Sequence, residues 1–230
     1  MILKMIDVEY KYKNSNKLIL KDINVEFEKG KVYVIKGKSG SGKSVLLGII
    51  SGLDDCTSGN IIYKEKNLKY INRGVYRNSC IGVIFKDYNL LSNTTILDNI
   101  LLPMIDGRKK KQKKRELIDD ILKIVGIDKS KLNIKVEKIS DEEKKKVCIA
   151  KALCNNPELI ISDDIIENCN DKEEKNIIDI FIELAHKYNK CVIVATNSYI
   201  FGSYADELWG MINGKLMYIK EGRVDRFCTI

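Results

Sequence analysis

The feature that most constrains this chain is a loop, Gly37-Lys38-Ser39-Gly40-Ser41-Gly42-Lys43-Ser44, that follows the apolar-rich run Val32-Tyr33-Val34-Ile35-Lys36. It satisfies G-x-x-x-x-G-K-[ST] after a strand and before a helix, the context that gives the pattern its meaning. Gly40 and Gly42 let the backbone turn tightly, so that several N–H groups converge on one anionic centre. The following helix, expected to start at Ser44 with Val45 in its first turn, adds the positive end of its dipole. Lys43 is a flexible point charge for β- and γ-phosphates, and the Ser44 hydroxyl is a hard ligand for Mg²⁺. The loop predicts binding of a nucleoside triphosphate with Mg²⁺. An aspartate following a second buried strand should complete the metal's surroundings, and Leu159-Ile160-Ile161-Ser162-Asp163 supplies one. Asp163 ends an apolar run, where a bare charge is costly and a cation offsets it.

The remaining pattern predicts an α/β fold. Ile6, Val8, Tyr10 and Tyr12 alternate with polar residues, as do Ile23, Val25 and Phe27, which reads as antiparallel strands with one wet face. Val32 to Ile35, Leu159 to Ile161 and Cys191 to Ala195 are short and unbroken, as central parallel strands covered on both faces are. Helices are expected over Leu117 to Val125, Lys144 to Cys154 and Glu173 to Tyr188, the last placing Ile177, Ile180, Phe181 and Leu184 on one face. Asn213-Gly214 marks a hairpin within Met211 to Tyr218.

Composition narrows the function. Forty Lys and Arg against 32 Asp and Glu give a net charge of +8, which favours anionic partners. Seven scattered cysteines without a C-x-x-C pair read as reduced thiols, and with one histidine, His186, any metal chemistry must use oxygen ligands. No apolar run approaches the ~20 residues of a bilayer span, and charge comes too early for a signal peptide, so a cytoplasmic chain is expected. The run Arg108 to Arg115 is basic at seven of eight positions. It reads as a solvated helix start or a contact with anionic lipid; it lacks the interleaved aromatics that stack on nucleic acid, and no nucleic-acid partner is expected.

The stretches LILKDINVEFEKGKVYVIKGKSGSGKSVLLGIISGLDDCTSGNI, IGVIFKDYNLLSNTTILDNILLPM, KVCIAKALCNNPELIISDD and SYADELWGMINGKLM resemble the nucleotide-binding subunit of ABC transporters nearly end to end. The look is that of the exporter group typified by lipoprotein-release and macrolide-efflux ATPases. The resemblance implies one domain over 1–230, a RecA-like P-loop NTPase core with a mixed sheet and an N-terminal antiparallel β subdomain (1–85 and 155–230) and an inserted α-helical subdomain (86–154). It further implies a homo- or heterodimer closing head to tail over two ATP molecules, a membrane-spanning transporter subunit as partner, and a peripheral position on the inner face of the cell membrane. Tyr12 then looks like the aromatic that stacks on adenine, and Tyr88 to Leu91 like the neighbourhood that meets the membrane partner. Substrate and direction of transport are not encoded in such a subunit.

Several motif positions depart from the family. Lys86 stands where the family has the glutamine that touches Mg²⁺ and water. Asp164 occupies the catalytic glutamate position, Asn197 replaces the switch histidine, and the D-loop reads Glu167-Asn168-Cys169-Asn170. The signature L-S-G-G-[QE] becomes Ile139-Ser140-Asp141-Glu142-Glu143, putting carboxylates where glycine N–H groups would face the opposite subunit's γ-phosphate. At ~4 Å and an effective dielectric near 20, like unit charges repel by about 4 kcal/mol. Ser140 and Glu143 also form a capping-box pattern that uses the helix's free donors internally. A homodimer would carry every departure in both sites, and a heterodimer with an intact partner would leave neither site whole. Asp164 is one methylene short as a base; Lys86 either supplies charge to developing oxyanions or pairs with Asp164 and silences it. The expectation is an ATPase subunit with slow hydrolysis; the alternative is a non-hydrolytic pseudo-ATPase acting as a regulatory or sensor subunit.

Overall fold

The unbroken apolar runs become the centre of a six-stranded sheet, because only a strand covered on both faces can spend every side chain on the core. The computed structural model describes residues 1–104 and 111–221. In chain order these are β1 (Leu3–Tyr10), β2 (Leu20–Phe27), β3 (Val32–Lys36), α1 (Lys43–Ile50), β4 (Ser58–Tyr63), β5 (Lys66–Asn67), the one-turn α2 (Arg73–Val75), β6 (Ile81–Ile84) and α3 (Ile96–Leu101). There follow α4 (Lys111–Val125), α5 (Asp141–Leu153), β7 (Leu159–Asp163), α6 (Asp171–His186), β8 (Cys191–Ala195), α7 (Tyr199–Tyr204), β9 (Glu207–Ile212) and β10 (Lys215–Glu221). The side chains of the basic run Arg108 to Arg115 lie outside the described residues, as does Cys228.

The larger sheet has the order β10-β9-β3-β8-β7-β6, with β9, β3, β8, β7 and β6 parallel and β10 returning antiparallel. Alternate residues of its central strands enter two different cores. Val32, Val34, Ile160, Val192 and Val194 join the core formed with α3 to α7, while Tyr33, Ile35, Leu159, Ile161 and Ile193 join the one formed with α1 and the second sheet. Ile177, Ile180, Phe181 and Leu184 of α6 are buried on one face, as their spacing requires. The hairpin turn also forms as read, with Asn213 and Gly214 both at positive φ. The result is the expected mixed α/β architecture, with an N-terminal antiparallel sheet and a helical region between β6 and β7.

The second sheet, of order β2-β1-β4-β5, differs from the simple alternation. Leu3 and Met5 are buried, then Val8 and Tyr10, while Ile6 is only half-buried. The register against β2 shifts between Met5 and Val8, and Asp7 lies at φ 50. A bulge there inserts a residue and changes which parity faces inward. Ile6 was expected on the same face as Val8; the bulge removes it.

Candidate functional site

β3, β7 and β8 run parallel, so their C-terminal ends share one edge of the sheet, and that edge collects the chemistry. The glycine-rich loop leaves β3 there, with Gly40 at φ 76 and Gly42 at φ 111, the left-handed backbone that their lack of a Cβ permits. Ser41 N donates to Lys38 O at 3.1 Å, and Gly214 N of the hairpin donates to Ser41 O at 3.1 Å, which props the loop from outside. α1 begins at Lys43, one residue earlier than expected. Its start has no side-chain cap and no acidic residue in its first turn. Lys43 is buried and folds over the loop, its ammonium donating to the carbonyls of Gly37 and, at 3.2 Å, Lys38. The Ser41 hydroxyl is buried without a hydrogen-bond partner. An orphaned hydroxyl, free helix N–H groups and a folded-in lysine together describe a seat for an anion.

Ser44 and Asp163 meet across this edge, the hydroxyl hydrogen-bonding the carboxyl group. Burial pushes the Asp163 carboxyl above the usual range against the opposing effect of Ser44, and neighbouring Asp164 pushes the same way, while Lys43 and Lys86 pull it down. Two adjacent carboxyls and a hydroxyl are a hard oxygen donor set that suits Mg²⁺. Asp164 sits at φ 47, and its N–H donates to Ala195 O at 2.9 Å. Its Oδ1 accepts the Thr196 hydroxyl at 3.0 Å, and Ser198 N in turn donates to Thr196 Oγ1 at 3.1 Å.

Lys86 does not pair with Asp164. Its ammonium lies 2.6 Å from Glu167 Oε2, an exposed ion pair between the segment after β6 and the segment after β7. The Glu167 hydrogen bond leads the causes that raise the Lys86 pKa, with Asp164 and Asp163 contributing through charge. Asn197 is exposed at the end of β8, between a buried Thr196 and Ser198, whose hydroxyl donates to the nearly buried Glu174 of α6. Tyr12 is 52% exposed just beyond β1, edge-on to Tyr10 at 5.5 Å between centroids. His186 takes no part in this edge of the sheet. It pairs with Asp206, 2.8 Å away, which also accepts Val32 N at the opposite, N-terminal end of β3.

Ser140 caps α5 in the box its spacing predicts: Glu143 N donates to Ser140 Oγ at 3.2 Å and Ser140 N to Glu143 Oε2 at 3.0 Å. The acids there are not bare. Asp141 pairs with Lys144 at 3.0 Å, Glu142 with Lys146 at 2.9 Å, and Glu143 with Lys131 at 2.5 Å. These lysines hold all three carboxyls below the usual range. The repulsion expected from two isolated charges is therefore reduced by lysines one turn further along the same helix.

One functional-looking residue went unnoticed in the sequence. Lys145 is 2% exposed, and its ammonium donates to Cys169 Sγ at 3.0 Å and to Glu167 O at 3.3 Å. Its position three before Cys148 and four before Ile149, both buried, puts it on the apolar face of α5, which is the signal that marks it.

Residues 20–167 match the family described as ABC transporter. YclH of Bacillus subtilis, an uncharacterized ABC transporter ATP-binding protein, is 38% identical over 197 residues, covering 85% of this chain and 87% of that one. LolD of Rickettsia typhi, a lipoprotein-releasing system ATP-binding protein, is 34% identical over 220 residues, 94% of this chain and 96% of its own. The dimeric structure of MJ0796, a bacterial ABC transporter cassette, superposes with a TM-score of 0.84 at 26% identity, covering 98% of this chain and 100% of that one. The same cassette is known as a dimer in a post-hydrolysis state bound to ADP and Pi. A match to well over half the sequence, with the loop, the carboxyl pair and the capped helix in one frame, settles the relationship: this chain belongs to the ABC transporter family.

Proposed function

We propose that this chain is the ATP-binding subunit of a transporter, holding ATP on residues 37–45 and driving a membrane-spanning partner from the cytoplasmic face. The observation that carries the reading is the convergence at one sheet edge of an uncapped α1, a folded-in Lys43 and the Ser44–Asp163 hydrogen bond. The loop N–H groups and Lys43 take the β- and γ-phosphates, and Tyr12 offers its exposed ring to the adenine. Ser44 and Asp163 hold Mg²⁺, which when bound neutralises charge on the phosphate oxygens. Asp164 orients or deprotonates the attacking water through the carboxyl oxygen that Thr196 leaves free. The division into a core with its β subdomain (1–85 and 155–230) and a helical subdomain (86–154) places these groups on the core and Ser140 to Glu143 on the insertion.

Hydrolysis is slow in this reading. A base that falls ~1 Å short costs on the order of 100-fold. Asn197 cannot supply the proton chemistry of an imidazole, and Lys86 is held by Glu167 until a phosphate competes for it. That pair is exposed and screened by solvent, so a triphosphate draws Lys86 away easily. Two subunits would close over two nucleotides, each presenting its α5 start to the other's phosphate loop.

A second reading, a non-hydrolytic sensor subunit, is favoured by one observation: the start of α5 is closed by its own cap and three lysine partners. Turnover of MgATP by the purified chain and by Asp164→Asn separates the two. The enzyme reading expects saturable MgATP binding and a turnover that falls ~100-fold in the variant with affinity kept. Tight binding with turnover that Asp164→Asn leaves unchanged is the sensor's result.

A further inference from the structure

An amine and a thiol meet where α5 packs against the segment that follows β7. Lys145 Nζ lies 3.0 Å from Cys169 Sγ and 3.3 Å from Glu167 O. We propose that this pair is a modification site closed by hydrogen peroxide: Cys169 is oxidised to a sulfenic acid, and Lys145 condenses with it to a sulfenamide, an S–N cross-link. The reaction needs no nucleotide, so it stands or falls apart from the ATP reading.

The pairing, rather than the cysteine, makes the site. Lys145 is 2% exposed, and a buried ammonium is costly without an anion. Its acceptors are a main-chain carbonyl and the sulfur, while Glu173 reaches it only through charge. Cys169 is thus the hydrogen-bonded side chain that can take up the opposite charge, as a thiolate. Burial raises the Cys169 thiol and the Lys145 hydrogen bond pulls it down; burial works against the Lys145 ammonium, and the sulfur more than restores it. Cys169 is only half-buried, so a small oxidant reaches it. Its backbone is held on both sides: Cys169 N donates to Ile166 O at 3.2 Å, and Glu173 N donates to Asn170 Oδ1 at 2.9 Å. The other described cysteines lack this arrangement. Cys148, Cys154 and Cys191 are buried, Cys56 donates to Gly59 O at 3.7 Å, and Cys80 hydrogen-bonds Tyr63.

Protons and electrons balance over two steps. The thiolate attacks one oxygen of the peroxide: an S–O bond forms, the O–O bond breaks, and the leaving hydroxide takes a proton from the Lys145 ammonium to depart as water. Sulfur has then given two electrons to the peroxide, and lysine is left as a neutral amine against the new sulfenic acid. The amine nitrogen attacks sulfur: the S–N bond forms, the S–O bond breaks, and the leaving hydroxide takes an N–H proton as a second water. A dithiol reverses the link, one thiol displacing nitrogen from sulfur and the second freeing Cys169 as the reagent leaves as its disulfide. The cross-linked product carries no charge and ties the segment after the paired aspartates to α5 covalently.

The test exposes the full chain to a small excess of hydrogen peroxide and maps its tryptic peptides by mass spectrometry. Trypsin should no longer cut after Lys145, and the peptides carrying Lys145 and Cys169 should appear joined, weighing their sum less two hydrogens. Dithiothreitol should separate them. In Lys145→Gln the link should be lost, and Cys169 should be captured by dimedone as the sulfenic acid. Oxidation of the unsubstituted chain in urea should also give the dimedone adduct without the link, which keeps the test open if the buried Lys145→Gln folds poorly. Three results would each overturn the proposal: dimedone capture of Cys169 in the folded chain at the yield of the variant, links from Cys169 to other lysines formed as readily, or a Cys169 that peroxide leaves untouched.

Discussion

α1 and α5 begin in opposite ways, and the contrast shows how one physical element serves two ends. Every helix start leaves about four N–H groups unsatisfied and carries roughly half a positive charge. α1 leaves that charge unspent: no side-chain cap, no acid in the first turn, a buried lysine at its first position and an orphaned hydroxyl in the loop before it. α5 uses the same charge at home, through the Ser140–Glu143 box and three acids that are each matched by a lysine. An open start is poor for stability in isolation and good for catching a phosphate; a closed one is the reverse. Under the function proposed above, the closed start of α5 is where this chain departs in chemistry while keeping the fold.

The comparison breaks most visibly at the open end. Lys43→Ala should lower MgATP affinity by at least about 100-fold, since charge-assisted hydrogen bonds to phosphate are worth about 1.5–3 kcal/mol each; calorimetric titration reads it, and an unchanged affinity would mean that α1 is not the phosphate seat. Opening the closed end is the next largest effect. Asp141→Gly with Glu142→Gly should strengthen ATP-dependent dimerisation by about tenfold in sedimentation experiments, less than the unscreened repulsion suggests because lysines already shield these acids. Unchanged or weaker association would show that the acids do not oppose closure. The smallest effect sharpens the picture of the cap. Glu143→Gln should lower Tm by about 1–2 °C, the small effect of a solvent-screened pair. The Glu143 carboxyl is held below the usual range, so its stabilisation is complete above its unfolded pKa and fades as pH falls through the lower folded value. The Tm difference should therefore be full at pH 6 and shrink as pH falls through the folded value; a constant difference would assign it to packing.

The sequence made most of this architecture legible where a local rule sufficed. Val32 to Ile35 and Cys191 to Ala195 read as buried parallel strands because their runs are unbroken, and Asn213-Gly214 read as a hairpin because few other pairs accept two positive φ values. The loop at residues 37–44 and the cap at Ser140 were equally plain, since each motif is its own structural explanation. What escaped depends on tertiary arrangement. The bulge at Asp7 leaves no trace in alternation, and the Lys86–Glu167 pair joins segments separated by three helices and one strand. The lysine partners of the α5 acids lie within a turn or twelve residues away, visible in hindsight, yet the choice among many nearby lysines is made by packing.

Lys145 gives α5 a mechanical role beyond presenting its first turn. Its buried ammonium grips the backbone of Glu167 and the sulfur of Cys169, while the Glu167 side chain grips Lys86. The far end of the same helix is seated on β6, where a Cβ on Gly82 would meet Ala152 O at 2.5 Å. A change at either end of this helix is therefore tied, through one buried ammonium, to the segment that follows the paired aspartates.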